Sequence, residues 1–253
     1  MKHIFLITLL SILPSAAVAE ENLNLKYEAL WNGIKAGEAR VDISEVTDNY
    51  TGRVRAESMG LVKNFTNYWT DSKVTGAING NEYKPSLFEM KFQPKKAPTQ
   101  RVTVTYGADG SVKEVASPPE KRGKRPEVDQ KSKKDLPDPI SAALIARDRV
   151  REMVKSAASF PQKFALRTFD SRRVTDLNFN VTGYKQMKIS GRSQKVLEVI
   201  FNRTPITGYN KRELEKMKEI NPLISIYVNE NFVPVYASGQ SIIGEINIRL
   251  VKN

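Results

Sequence analysis

Cysteine is absent from all 253 residues, and histidine occurs once, as His3. Without cysteine there is no disulfide framework, so packing alone must hold the fold. His3 falls in a segment expected to be removed, which leaves a chain with neither imidazole nor thiol. That excludes Ser-His-Asp and Cys-His catalysis. It also removes the usual zinc ligands and most haem and iron–sulfur ligation. No P-loop and no glycine-rich dinucleotide fingerprint is present. Carboxylate catalysis of the glycosidase kind needs two acids at a fixed separation, and no spacing singles out a pair. Ser72 and Lys73 are adjacent, but a strand would send them to opposite faces. The expectation is a protein that is not an enzyme and carries no metal and no cofactor.

Long apolar runs are missing too. The single candidate, Ile4 to Ile12, is shorter than the roughly 20 residues that span a bilayer. Lys2 before it, Pro14 after it and Ala17-Val18-Ala19 at its end have the form of a cleavable signal peptide over residues 1–19. Cleavage after Ala19 would start the exported chain at Glu20, and because residue 20 is not cysteine no lipid anchor is expected. The expected location is the periplasm, with residues 20–253 forming one domain. Lys and Arg number 40 against 28 acids, a net charge of +12 that falls to +11 when Lys2 is lost. In an exported protein such an excess suits anionic envelope material, either phospholipid, lipopolysaccharide or the cell wall, with peripheral membrane contact. Nucleic acid is not expected, and solubility alone is the competing reading of the charge.

What is present is strand pattern. Leu25, Tyr27, Ala29 and Trp31 alternate with polar neighbours. Asn32-Gly33 follows, a strong signal for a two-residue hairpin, and Ala39, Val41 and Ile43 return. Gly52 to Ser58 gives a third strand. Between Met59 and Trp69 the alternation stops, and Leu61, Val62, Phe65, Tyr68 and Trp69 fall at helical spacing. Phe88, Met90 and Phe92 share a face, and Val102, Val104 and Tyr106 answer them.

Ser117 to Pro137 has no apolar period and reads as a flexible basic loop containing Lys121, Arg122, Lys124 and Arg125. Asp138-Pro139 then opens the longest helix, an acidic N-cap followed by proline in the first turn. Its stripe is Ala143, Ala146, Val150, Met153 and Ala157, with Ile140, Leu144 and Val154 beside it. Strands resume around Phe164 to Phe169, at Leu177 to Val181 with Gly183 as the stop, and at Leu197 to Phe201. Residues 210–219 read as a charged surface helix, and two hairpin strands and a closing strand, with Ile242, Ile246, Ile248 and Leu250 on one face, finish the chain. Many short strands at hairpin spacing argue a mainly β fold built on a single strongly curved antiparallel sheet, an open barrel or β-spiral. One longer helix is expected inside it, with short helical segments.

Four motifs in order resemble the bacterial envelope family known as domain of unknown function 3108, across nearly the whole chain after the leader. They are Tyr27 to Ala39 with its Trp31-x-Gly33 turn, Tyr83-Lys-Pro85, Asp138-Pro139-Ile-Ser141-Ala-Ala-Leu144, and Ile226 to Val235 ending in Pro234-Val235. The long basic loop and the 210–219 insertion depart from the pattern. The resemblance implies an envelope location and a shape similar to the periplasmic lipoprotein carriers, a bent sheet around a helix. It implies no catalytic residues.

A curled sheet with a helix across it makes a natural apolar concavity. Trp31, Phe65, Trp69, Phe88, Met90 and Phe92 are the candidate lining, with Lys121, Arg122, Lys124 and Arg125 as an anionic-surface contact. The same aromatics could instead fill the interior completely. Two functions stay open: a module holding a lipid-like or other hydrophobic, anionic envelope ligand, and a protein-interaction or structural factor for envelope integrity or assembly with no small ligand. The oligomeric state is not legible.

Overall fold

A computed structural model describes residues 21–80, 82–93, 98–116, 125–156, 159–189, 191–219, 223–241 and 244–252. The expected signal peptide, Lys121, Arg122 and Lys124 of the basic cluster, and Ala157 and Ile242 lie outside these described residues. In chain order the elements are β1 (Glu21–Trp31), β2 (Ile34–Val46), β3 (Asn49–Ser58), α1 (Gly60–Thr66), β4 (Trp69–Asn79), β5 (Glu82–Gln93), β6 (Gln100–Tyr106) and β7 (Val112–Ala116). They continue with α2 (Pro139–Lys155), β8 (Gln162–Phe169), β9 (Val174–Ile189), β10 (Arg192–Thr207), α3 (Lys211–Glu219), β11 (Ile224–Val228), β12 (Pro234–Ser241) and β13 (Gly244–Lys252).

All 13 strands form one antiparallel sheet in the order β7-β6-β5-β4-β3-β2-β1-β13-β12-β11-β10-β9-β8. Two meanders, β1 to β7 and β8 to β13, are joined where the first and last strands pair, Tyr27 opposite Leu250 and Trp31 opposite Ile246. The sheet is therefore mainly hairpins, and it is open: β7 and β8 are its edges. Strand twist accumulates across so many pairs, and bulges such as those at Ala29/Leu30 and Glu198/Val199 bend it further. The curl is visible in the core. Val104 and Val112 near one edge share a buried cluster with Phe169 and Val174 near the other, and with Ile140 and Leu144 of α2. The other end of α2 packs Val150, Met153 and Val154 against Val181, Leu197 and Val199.

The Asn32-Gly33 hairpin forms as the sequence indicates, with φ of 47° and 81°. So does the start of α2, where the Asp138 carboxylate accepts from the N–H of Ile140 at 2.8 Å and of Ser141 at 3.2 Å. Gly52 lets this helix seat against β3, since a Cβ there would sit 2.8 Å from Ile140 Cγ2.

Four expectations need correcting. Among the described residues the 17-residue α2 stands beside the shorter α1 and α3, but its buried face runs through Ala142 and Ala146, while Ala143 is exposed. Trp69 opens a strand, β4 (Trp69–Asn79), and does not continue the helical spacing read from Leu61. β9 does not stop at Gly183 but continues to Ile189. The described part of the 117–137 segment holds one short 3-10 turn, Lys131–Lys133, and is anchored: Val128 and Leu136 are buried in the main cluster. Arg125, the one described member of the basic cluster, donates to both carboxylate oxygens of Glu213 at 2.6 and 2.9 Å.

Candidate functional site

Because paired residues in a sheet share a face, the register lays out what the inner side presents. One cross-strand row reads Ile34, Trp31, Ile246, Gly239, Ile224, Phe201, Phe179, Phe164, from β2 across to β8. Every member is apolar or glycine, and none is buried. The next row is Gly37, Ala29, Ile248, Ala237, Ile226, Val199 and Val181. A third, on β5 to β13, is Phe92, Thr70, Ala56, Ala39, Tyr27 and Leu250.

These rows lie on the side that carries α2, because Phe164, Phe179, Val199 and Ile226 pack with the cluster around Val150. The stripe thus begins beneath α2 and runs out to Ile34. Where α2 covers the sheet the interior is filled. Beyond the helix it is lined by small residues and half-exposed large ones, with Ile246 and Ile248 each 40% exposed on a central strand. An antiparallel sheet can leave one face open to water, and beyond α2 the inner face of this central strand is uncovered by the described residues. Arg203 sits two residues beyond Phe201 on the same face, exposed, with no polar side-chain partner among the described residues.

At the Ile34 end of the stripe, α1 is held by the N–H of Met59 donating to the carbonyl of Ala36 at 2.8 Å. None of its residues is buried, and Leu61 and Phe65, one turn apart, are 66% and 70% exposed.

The six aromatic and methionine positions marked out by sequence do not converge. Phe88 is 2% exposed and belongs to the filled core, with Met90 and Phe92 packed against it. Trp31 is on the open stripe. Phe65 points to solvent on α1. Trp69 faces the opposite side of the sheet, beside Glu57, because β4 places it five residues and one face away from the buried Val74. The stripe residues Ile246, Ile248, Ile224 and Phe201 were legible as strand but not as site. Their parity was readable, but their exposure depends on where α2 ends.

Buried polar groups elsewhere serve the fold. Asp138 is fully buried, and burial pushes its carboxyl up to about 6, against the opposing pull of the hydrogen bonds from Ser141 and Ile140. Ser141 links it onward to the Tyr50 hydroxyl at 2.7 Å. Arg147 donates to Glu45 at 2.7 Å and to the Tyr83 hydroxyl at 3.0 Å, tying α2 to β2 and β5. Glu198 is buried too; burial opposes its charge, but Lys185, Thr182 and Tyr227 offset this and hold its carboxyl below the usual range. Arg147 and Glu198 face opposite charges, whereas Asp138 has hydrogen-bond donors and no basic partner among the described residues. Among the described residues no group of three or more His, Cys, Asp or Glu side chains could hold a metal ion, and no helix is long and apolar enough to cross a membrane.

Comparison with known proteins agrees with the fold. The family model described as "Protein of unknown function (DUF3108)" matches residues 26–251. A crystal structure of a β-barrel-like protein of the domain of unknown function DUF1849, from Brucella abortus, superposes with a TM-score of 0.53 at 12% identity, covering 90% of this chain and 95% of that one. At that identity the likeness concerns the fold alone. No curated protein matches the chain.

Proposed function

The chain belongs to the DUF3108 family of proteins of unknown function, and from that premise we propose that it is a non-enzymatic periplasmic envelope protein whose inner face holds an apolar chain bearing an anionic head. The observation that carries this reading is the half-exposed stripe from Phe164 to Ile34. Its exposed members lie on the uncovered part of the inner face, where water is a poorer neighbour than a hydrocarbon chain: burying apolar surface is worth roughly 25 cal/mol per Å². Arg203, unpaired at the margin of the stripe, suits a carboxylate or phosphate head. The positive charge of the whole chain draws such ligands in.

Native mass spectrometry of protein purified from its own compartment tests the reading. Added mass that organic solvent removes is the expected result, and Ile246→Glu with Ile248→Glu should lose it while remaining folded. Bare protein that also fails to take up palmitate on titration would overturn the reading. The exposed Leu61 and Phe65 favour a second reading, a protein-interaction factor that docks through α1. In that case the double glutamate variant would keep its partner and a variant at Leu61 and Phe65 would not.

A further inference from the structure

The outer face of the sheet carries a groove of about 400 Å³ lined by Glu38, Arg40, Arg55, Glu57, Trp69 and Asp71. It lies on the face opposite the apolar stripe, so it is independent of the function proposed above. Its layout works against the sheet. Glu38 stands directly opposite Glu57, and Arg40 directly opposite Arg55. Like charges at such positions destabilise an antiparallel pair. Diagonal ion pairs relieve part of this, Arg55 with Asp42 and Arg53 with Asp71, both at 2.6 Å, and Lys26 with Glu38 at 3.2 Å. Arg40 and Glu57 have no polar side-chain partner among the described residues. The Nε of Arg55 is buried and bonded to nothing. Beside these groups Trp69 is half-buried on a face that otherwise carries charge, where the core makes no use of it.

We propose that this groove binds a glycan, with the Trp69 indole against one face of a hexose ring and Arg40, Arg55 and Glu57 on its hydroxyls. An indole offers a flat apolar platform that suits the C–H face of a pyranose. Sugar hydroxyls both donate and accept, so a single ligand satisfies the guanidinium donors and the carboxylate acceptors together. A phosphate would meet Glu38, Glu57 and Asp71, and a cation would meet two arginines, so neither charge alone fits. A neutral hexose oligomer does.

Trp31 and Trp69 are the two tryptophans of the chain, so Trp31→Phe leaves Trp69 as sole reporter. Titrating that protein with chitotriose and with maltotriose should give a saturable change in emission for at least one of them. Glu57→Gln and Arg40→Gln, both at the surface, should each weaken it by about tenfold, the size expected for one charge-assisted hydrogen bond, with the melting temperature held or raised, since each removes one of two facing like charges. No response to either sugar, a response indifferent to both substitutions, or a response to inorganic phosphate in place of sugar would overturn the proposal.

Discussion

Replacing Asp138 probes how α2 is fixed inside the sheet. Its carboxylate caps α2 through the N–H groups of Ile140 and Ser141, accepts from the Ser141 hydroxyl, and is wholly buried. Asp138→Ala removes the cap, worth about 1–2 kcal/mol, and leaves buried donors unpaired at roughly 1–3 kcal/mol more. A total loss of about 2–5 kcal/mol in urea denaturation, followed by tryptophan fluorescence, is expected. Asp138→Asn keeps an accepting oxygen and so isolates the charge. In the folded protein the carboxyl sits at about 6 against an ordinary 3.8. The folded state therefore binds its proton more tightly than the unfolded chain does. This contribution to stability is full below pH ~4 and disappears as pH rises through about 6. At roughly 1.4 kcal/mol per tenfold change in proton affinity, it amounts to about 3 kcal/mol. Relative to Asp138→Asn, the parent protein should gain about 2 kcal/mol of this between pH 7.5 and 4.5. A stability difference that stays flat over this window would refute the buried, proton-holding cap.

Other substitutions test the remaining parts. Gly52→Val should cost about 1–3 kcal/mol, because its side chain would enter the space of Ile140 and Val74; chemical denaturation measures this. Arg203→Glu should weaken palmitate uptake by about tenfold or more while leaving the unfolding free energy in urea within roughly 0.5 kcal/mol, as an exposed, unpaired side chain predicts. Glu213→Ala removes the bidentate partner of Arg125, and limited proteolysis should then cut faster around residues 125–137 than in the parent.

Local chemistry was legible and distant geometry was not. The Asn32-Gly33 turn and the Asp138-Pro139 cap depend on a few neighbouring residues, and both form as expected. β4 escaped notice because its inward positions are Thr70, Ser72, Val74 and Gly76, too small and polar to give an apolar alternation, while Trp69 stands on the charged face. Gly183 reads as a terminator, yet its φ of 122° serves a bend within a strand that continues. The pairing of β1 with β13 joins the two ends of the described chain, and nothing near Trp31 or Ile246 announces it. The stripe itself exists only through that pairing, so its members could be read as strand residues but not as neighbours. Trp69 shows the reverse error: helical spacing with Phe65 suggested a shared wall, and the sheet sends the two to different surroundings.

The two tryptophans give the most direct test of the inner stripe, since Trp31 lies on it and Trp69 lies on the outer face. A dibrominated stearic acid quenches indoles only at contact. Added to the Trp69→Phe protein it should quench Trp31 saturably, and added to the Trp31→Phe protein it should leave Trp69 emission unchanged. Equal quenching of both, or of neither, would contradict an apolar chain bound on the inner face.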